Sequence, residues 1–244
     1  MAFGGVRALD AVGLTVGRGQ VFSIIGPNGA GKTTLLNMLT GIYRPSAGRI
    51  WVEAHELTGR TPHEFAAAGV GRTFQNLQIF FNMSTLENVM AGRYLHERCS
   101  LAAALLRFPS LARAEHACRE EALELLAFVG LEQHAQASAD TLPYGALKRL
   151  EIARALAARP KVLLLDEPAA GLNATETHEI DRLIQQLVRR GLTVVLVEHN
   201  MKLVMGVSDH VLVLDYGRTL TEGDVAAVRN DPRVIEAYLG VAET

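Results

Sequence analysis

Residues 26–34 read GPNGAGKTT. Gly26, Gly31, Lys32 and Thr33 satisfy the spacing G-x-x-x-x-G-K-[ST]. Its glycines let a backbone turn wrap a phosphate, while consecutive N–H groups and a helix N-terminus face the anion. Pro27, Asn28, Gly29 and Ala30 complete the turn and Thr34 continues it. Lys32 adds a positive charge against β- and γ-phosphates, and the Thr33 hydroxyl is a ligand for Mg²⁺. A second signal is the apolar run VLLLDE at 162–167, which ends in two acids. At a strand tip beside a phosphate loop, Asp166 joins the magnesium shell and Glu167 polarises an attacking water. A third is LPYGALKRLEIARAL at 142–156. Its glycine-containing turn opens a long helix, which makes a second potential anion site. Arg149 and Arg154 on that helix serve equally well as ordinary surface partners.

These residues need strands and helices to hold them. Apolar, β-branched, strand-sized runs stand at 20–25, 49–53, 161–165, 193–198 and 210–214. The near-continuous runs VLLL and TVVLV suit strands covered on both faces. The first run leads into the phosphate loop, and a helix follows at 35–39, which is the context that loop requires. Between 175 and 190, Ile180, Leu183, Ile184, Leu187 and Val188 line one helical face, and Gly191 follows as a stop. Strands alternating with helices predict an α/β fold with a mainly parallel sheet.

The middle reads differently. From 76 to 159 no buried strand is evident. Residues 115–129 are helical, with Cys118, Ala122, Leu125, Leu126 and Val129 on one face and Gly130 closing it. Residues 146–159 contain no Gly or Pro, and Pro160 ends them. One domain spanning 1–244 is therefore expected, with an α/β core from 1–75 and 160–244 and a helical insertion at 76–159.

Composition narrows the function classes. Of 244 residues, 49% are hydrophobic and 20% charged, which fits a globular chain with a sizeable core rather than a disordered one. The net charge of −2 argues against a nucleic-acid partner. Two cysteines, Cys99 and Cys118, cannot build a disulfide framework and suit a reducing compartment. No apolar run approaches the ~18 residues of a membrane span. The opening MAFGGVRALD has no signal-peptide pattern. A soluble chain that meets a membrane only by docking onto another protein is the expectation.

The order of these motifs resembles the ABC (ATP-binding cassette) ATPases. The 142–146 segment matches that family's signature, standing just upstream of the acid pair. His199 after VVLVE matches its switch histidine, Gln75 in RTFQN its Q-loop glutamine, and AGLN at 170–173 its D-loop. Phe3 resembles the aromatic that stacks on adenine. Over nearly the whole chain, GRTFQNLQIF, LENVMAG, RLEIARALA, LLLDEPAAGLN, VEHNMKLVMGVSD and VIEAYLG are similar to the first ATP-binding subunit of branched-chain amino acid importers. The resemblance implies a P-loop NTPase core with an antiparallel β element near the N-terminus, and ATP and Mg²⁺ as ligands. It makes Glu167 the general base, His199 and Gln75 its catalytic neighbours, and Thr33, Gln75 and, through water, Asp166 the metal-binding residues.

In that superfamily two ATPases close head to tail on two ATPs. Leu142, Pro143, Tyr144, Gly145 and Ala146 would then meet the ATP held by the other subunit. Implied partners are a second ABC ATPase, two transmembrane permease subunits and, indirectly, a periplasmic binding protein. The implied location is the cytoplasmic face of a bacterial or archaeal inner membrane. Other ABC systems (urea or amide import, lipopolysaccharide export) and a non-hydrolysing regulatory subunit are the alternatives. Several departures stand out. Pro143 replaces the usual signature Ser, Ala146 the usual Gln, and Asn173 the usual D-loop Asp. Because the sequence opens at the aromatic loop, the family's first strand is expected to be missing or misannotated, which would leave a neighbouring sheet edge uncovered. The altered signature beside intact catalytic residues points to a heterodimer; the alternative is that backbone N–H groups around Gly145 suffice and Pro143 is harmless.

Overall fold

A computed structural model of the chain describes residues 2–3, 6–93 and 109–239. They divide into two compact units, Met1–Gln75 with Lys161–Thr244, and Asn76–Pro160. The first unit is built on β3 (Val21–Ile25), β6 (Val70–Arg72), β7 (Val162–Asp166), β8 (Thr193–Val197), β9 (His210–Asp215) and β10 (Arg218–Gly223). These form one six-stranded sheet in the order β10-β9-β3-β8-β7-β6. All neighbours are parallel except β10, which pairs antiparallel with β9.

Side-chain alternation explains the apolar runs. Phe22 and Ile24 of β3, with Leu212 and Leu214 of β9, belong to one cluster that includes Leu36 and Phe65. Ile25, Val211 and Val213 point into a second cluster with Val204, Val228 and Val234. A strand buried on both faces needs apolar residues at every position. The helices that cover the sheet include α1 (Lys32–Leu39), α2 (Pro62–Ala67), α6 (Ala174–Arg189), α7 (Met201–Val207), α8 (Val225–Arg229) and α9 (Pro232–Leu239). Helix α6 buries Ile180, Leu183, Ile184 and Leu187. Its cap is Asn173, whose Oδ1 accepts the Glu176 N–H while the Glu176 carboxylate accepts the Asn173 N–H, both at 3.0 Å.

The second unit holds α3 (Thr85–Ala91), α4 (Pro109–Phe128) and α5 (Tyr144–Ala157). Leu86, Val89, Cys118, Ala122, Leu126 and Leu150 are buried there. Among its described residues the sole strand-like pairing is the bridge between Ser84 and Ser138. Glu121 of α4 pairs with both Arg93 and Arg159, the latter at 2.5 Å.

The structure corrects several expectations. The run at 49–53 contributes no strand to the six-stranded sheet. Its Trp51–Val52 (β4) pairs with His55–Glu56 (β5) in a separate hairpin, and Trp51 is 53% exposed. Two strands escape the sequence reading. The three residues of β6 include a glycine, and β10 is an edge strand carrying polar residues. An edge strand paired on one side has no need of a continuous apolar run. Near the N-terminus β1 (Ala2–Phe3) and β2 (Val6–Arg7) pair antiparallel outside the main sheet. Among the described residues no helix is long and apolar enough to cross a membrane.

Candidate functional site

The phosphate-type loop begins where β3 ends. Gly26 has φ 151°, and a Cβ there would run into the Leu214 carbonyl oxygen. Gly31 has φ 100°, and a Cβ there would stand 2.7 Å from the Ala8 carbonyl oxygen. Both positions demand glycine on conformation and on space. Gly31 is the N-cap of α1, and no side chain caps that helix. The N–H groups of its first turn, on Lys32, Thr33 and Thr34, have no intrahelical acceptors and form an anion-binding end.

Lys32 is only 8% exposed. Its Nζ donates to the carbonyls of Gly26 at 2.6 Å and Pro27 at 3.0 Å, so the ammonium arches back over the loop. Burial pulls its pKa below the ordinary lysine value, and the nearby Glu167 and Asp166 oppose that pull. A concave space of about 420 Å³ opens over the loop, lined by Asn28, Gly29, Ala30, Gly31, Lys32, Thr33 and Thr34 together with Ala8, Gln75, Glu167, Tyr216 and Gly217. That volume lies in the range of small-molecule sites.

The acids come from the tip of β7, two strands from β3. Asp166 is buried, and its Oδ2 accepts from Arg72 Nη2 at 2.9 Å. Arg72 also donates to Asn37 Oδ1 at 2.7 Å and Thr40 Oγ1 at 3.2 Å, both on or beside α1. This guanidinium ties β6, β7 and α1 together. Glu167 follows with φ 49°, a left-handed conformation costly for a non-glycine residue. Its N–H donates to the Val197 carbonyl at 2.8 Å. Its Oε2 accepts from Gln75 Nε2 at 3.2 Å and lies 3.8 Å from His199 Nδ1. Gln75, Glu167 and His199 therefore converge, with His199 60% exposed in its side chain.

No group of three or more His, Cys, Asp or Glu able to hold a metal exists among the described residues. A magnesium ion fits this site in another way. It suits a hydroxyl such as Thr33 and a carboxylate such as Asp166, with ligand phosphates and water completing its shell.

Phe3 falls in β1, but its side chain lies outside the described residues. Leu142, Pro143, Tyr144, Gly145 and Ala146 lie at the start of α5, in the unit Asn76–Pro160. Pro143 is that helix's N-cap and offers no side-chain cap. Two residues escape the sequence reading altogether. Arg72 meets Asp166 across 94 positions, and Glu198, fully buried, accepts the Ala169 N–H across 29. Glu198 had one signal, an acid directly after the buried run TVVLV.

Comparison with known proteins adds to this geometry. Residues 9–170 match the family model described as ABC transporter. Residues 218–244 match the one described as branched-chain amino acid ATP-binding cassette transporter. The chain is 46% identical over 243 residues to the high-affinity branched-chain amino acid transport ATP-binding protein BraF of Pseudomonas aeruginosa, covering 99% of this chain and 95% of that protein. It is 44% identical over 243 residues to LivG of Escherichia coli K12, which carries the same description, with the same coverage. A nucleotide-free ATP-binding cassette from an ABC transporter superposes with a TM-score of 0.84 at 34% identity, covering 98% of this chain and 95% of that one. A cassette in its ADP conformation gives 0.84 at 33% identity with the same coverage.

Proposed function

The chain belongs to the ABC transporter family, and from that premise we propose that it hydrolyses ATP to power the import of branched-chain amino acids. The observation that carries this reading is the convergence of Gln75 and His199 on Glu167, beside a buried Lys32 and an uncapped phosphate loop. The β- and γ-phosphates of ATP lie against the free N–H groups of the loop and of Lys32, Thr33 and Thr34 at the start of α1, and Lys32 adds its charge. Magnesium held by Thr33 and Gln75 and, through water, by Asp166 would neutralise charge on the phosphate oxygens. Glu167 takes a proton from the attacking water, a role worth ~10²–10⁴-fold in rate. His199 and Lys32 stabilise the charge that develops on the γ-phosphate. ADP and phosphate are the products.

The signature of this chain acts on the ATP of a second subunit. Pro143 offers that γ-phosphate neither a hydroxyl nor an N–H, which leaves Gly145 and the N–H groups after it. We infer a heterodimer with a second ABC ATPase that carries a regular signature. The pair docks on two permease subunits at the cytoplasmic face of a bacterial or archaeal inner membrane, and a periplasmic binding protein delivers substrate. Reconstitution with its permeases in vesicles should give ATP-dependent uptake of leucine, isoleucine or valine. Uptake of an amide such as urea in their place would overturn the substrate, and full activity with this chain as the only ATPase would overturn the heterodimer.

A further inference from the structure

We propose that Glu198 is a positioning residue for ATP hydrolysis. One buried carboxylate holds both the loop that carries Glu167 and the loop that carries His199. The inference rests on the ATPase reading above and deepens it.

Strands β7 and β8 run parallel and stay in register as far as Asp166 opposite Val197. There the two chains part. The Glu167 N–H still reaches the Val197 carbonyl, at 2.8 Å. Pro168, which follows, has no N–H to give. The next donor on that chain is Ala169, and it finds no strand opposite. Glu198 Oε1 accepts it at 2.9 Å. The other oxygen, Oε2, accepts the N–H of His199 at 3.0 Å and of Asn200 at 3.2 Å. Three backbone donors from two loops thus end on one side chain.

Packing alone does not ask for this residue. Glu198 is 0% exposed and follows five apolar or β-branched residues that fill the same layer. An apolar side chain would extend that run, whereas a carboxylate at full burial is costly unless every lone pair is used. Hydrogen bonds to a charged acceptor are about twice as strong as neutral ones. Their geometry fixes the backbone on either side of the catalytic contact. Glu167 is pinned through its own N–H and through Ala169, and His199 is pinned at its N–H. The left-handed φ of Glu167 needs such restraint to persist. Glu198 touches none of the reacting atoms; it acts through Glu167 and His199.

The test uses the full chain, alone for ATP affinity and amide exchange, and in the assembled transporter for turnover. Glu198→Gln keeps size and shape but turns an NH₂ toward backbone donors. ATP affinity by calorimetry should stay within about twofold of wild type, while kcat falls by roughly tenfold or more. Hydrogen exchange should quicken at Ala169, His199 and Asn200 with the rest of β7 and β8 still protected. Wild-type kcat, unchanged exchange at those amides, or a loss of affinity and melting temperature in step with kcat would overturn the proposal. If Glu198→Gln does not fold, Glu198→Asp, one methylene too short to span both loops, must show the same split; its failing too would assign Glu198 to the fold alone. ATP failing to bind the wild-type chain would defeat the ATPase reading instead, so the two failures are distinguishable.

Discussion

Lys32 arches over its own loop, 2.6 Å from the Gly26 carbonyl. Replacing it with Ala removes the loop's only cation and takes from the Gly26 carbonyl the donor it has in Lys32. ATP affinity of Lys32→Ala, read by calorimetry, should fall by ~10²-fold or more, as a charge-assisted contact to phosphate is lost. An unchanged dissociation constant would remove the phosphate loop from the mechanism. Arg72 carries a different expectation. In Arg72→Met the Asp166 carboxylate stays buried without its guanidinium, and breaking a buried pair costs about 3–5 kcal/mol. Urea unfolding should show a loss of that order, and a loss below about 1 kcal/mol would mean that the pair is dispensable. Lys32, Thr33, Asp166 and Glu167 are readable from sequence because each sits in a local run whose spacing carries the chemistry. Arg72 and Glu198 are not, because their meaning lies in partners that only the fold brings near.

The elements divide along the same line. Strands β3, β7, β8 and β9 are plain in the sequence, since burial on both faces forces apolar residues at every position. Strands β6 and β10 are hidden. The first is three residues long, and the second is an edge whose register shifts between Thr219 and Thr221. Asn173 reads from the sequence as a departure from the D-loop, yet its visible work is to cap α6.

In the helical unit, Glu121 anchors α4 to Arg93 and Arg159, and those guanidiniums, Arg93 first, hold its carboxyl at about 2 rather than the ordinary 4.5. A folded-state value below the unfolded one adds stability that is complete above pH about 4.5 and disappears as pH falls towards 2. With the side chain 35% exposed, solvent screening keeps the amplitude small. Melting temperature followed from pH 7 to pH 2 should show a constant deficit for Glu121→Gln near neutrality that closes below pH about 4.5. A deficit that persists unchanged to pH 2 would mean that the pairing contributes no electrostatic stability.

At the scale of the whole molecule, one chain supplies half of each proposed catalytic site. Gln75, Glu167 and His199 meet within this chain, so their part is visible in its own geometry. The part proposed for Pro143 and Gly145 would act on another subunit's nucleotide, and no single chain can display it. The claim on which everything else depends is that Glu167 activates the water that attacks ATP. Glu167→Gln tests it most directly, because the amide keeps the shape and loses the base. In the transporter assembled with this variant, ATP binding should persist while turnover falls by ~10²-fold or more. Turnover at the wild-type rate would contradict the assignment.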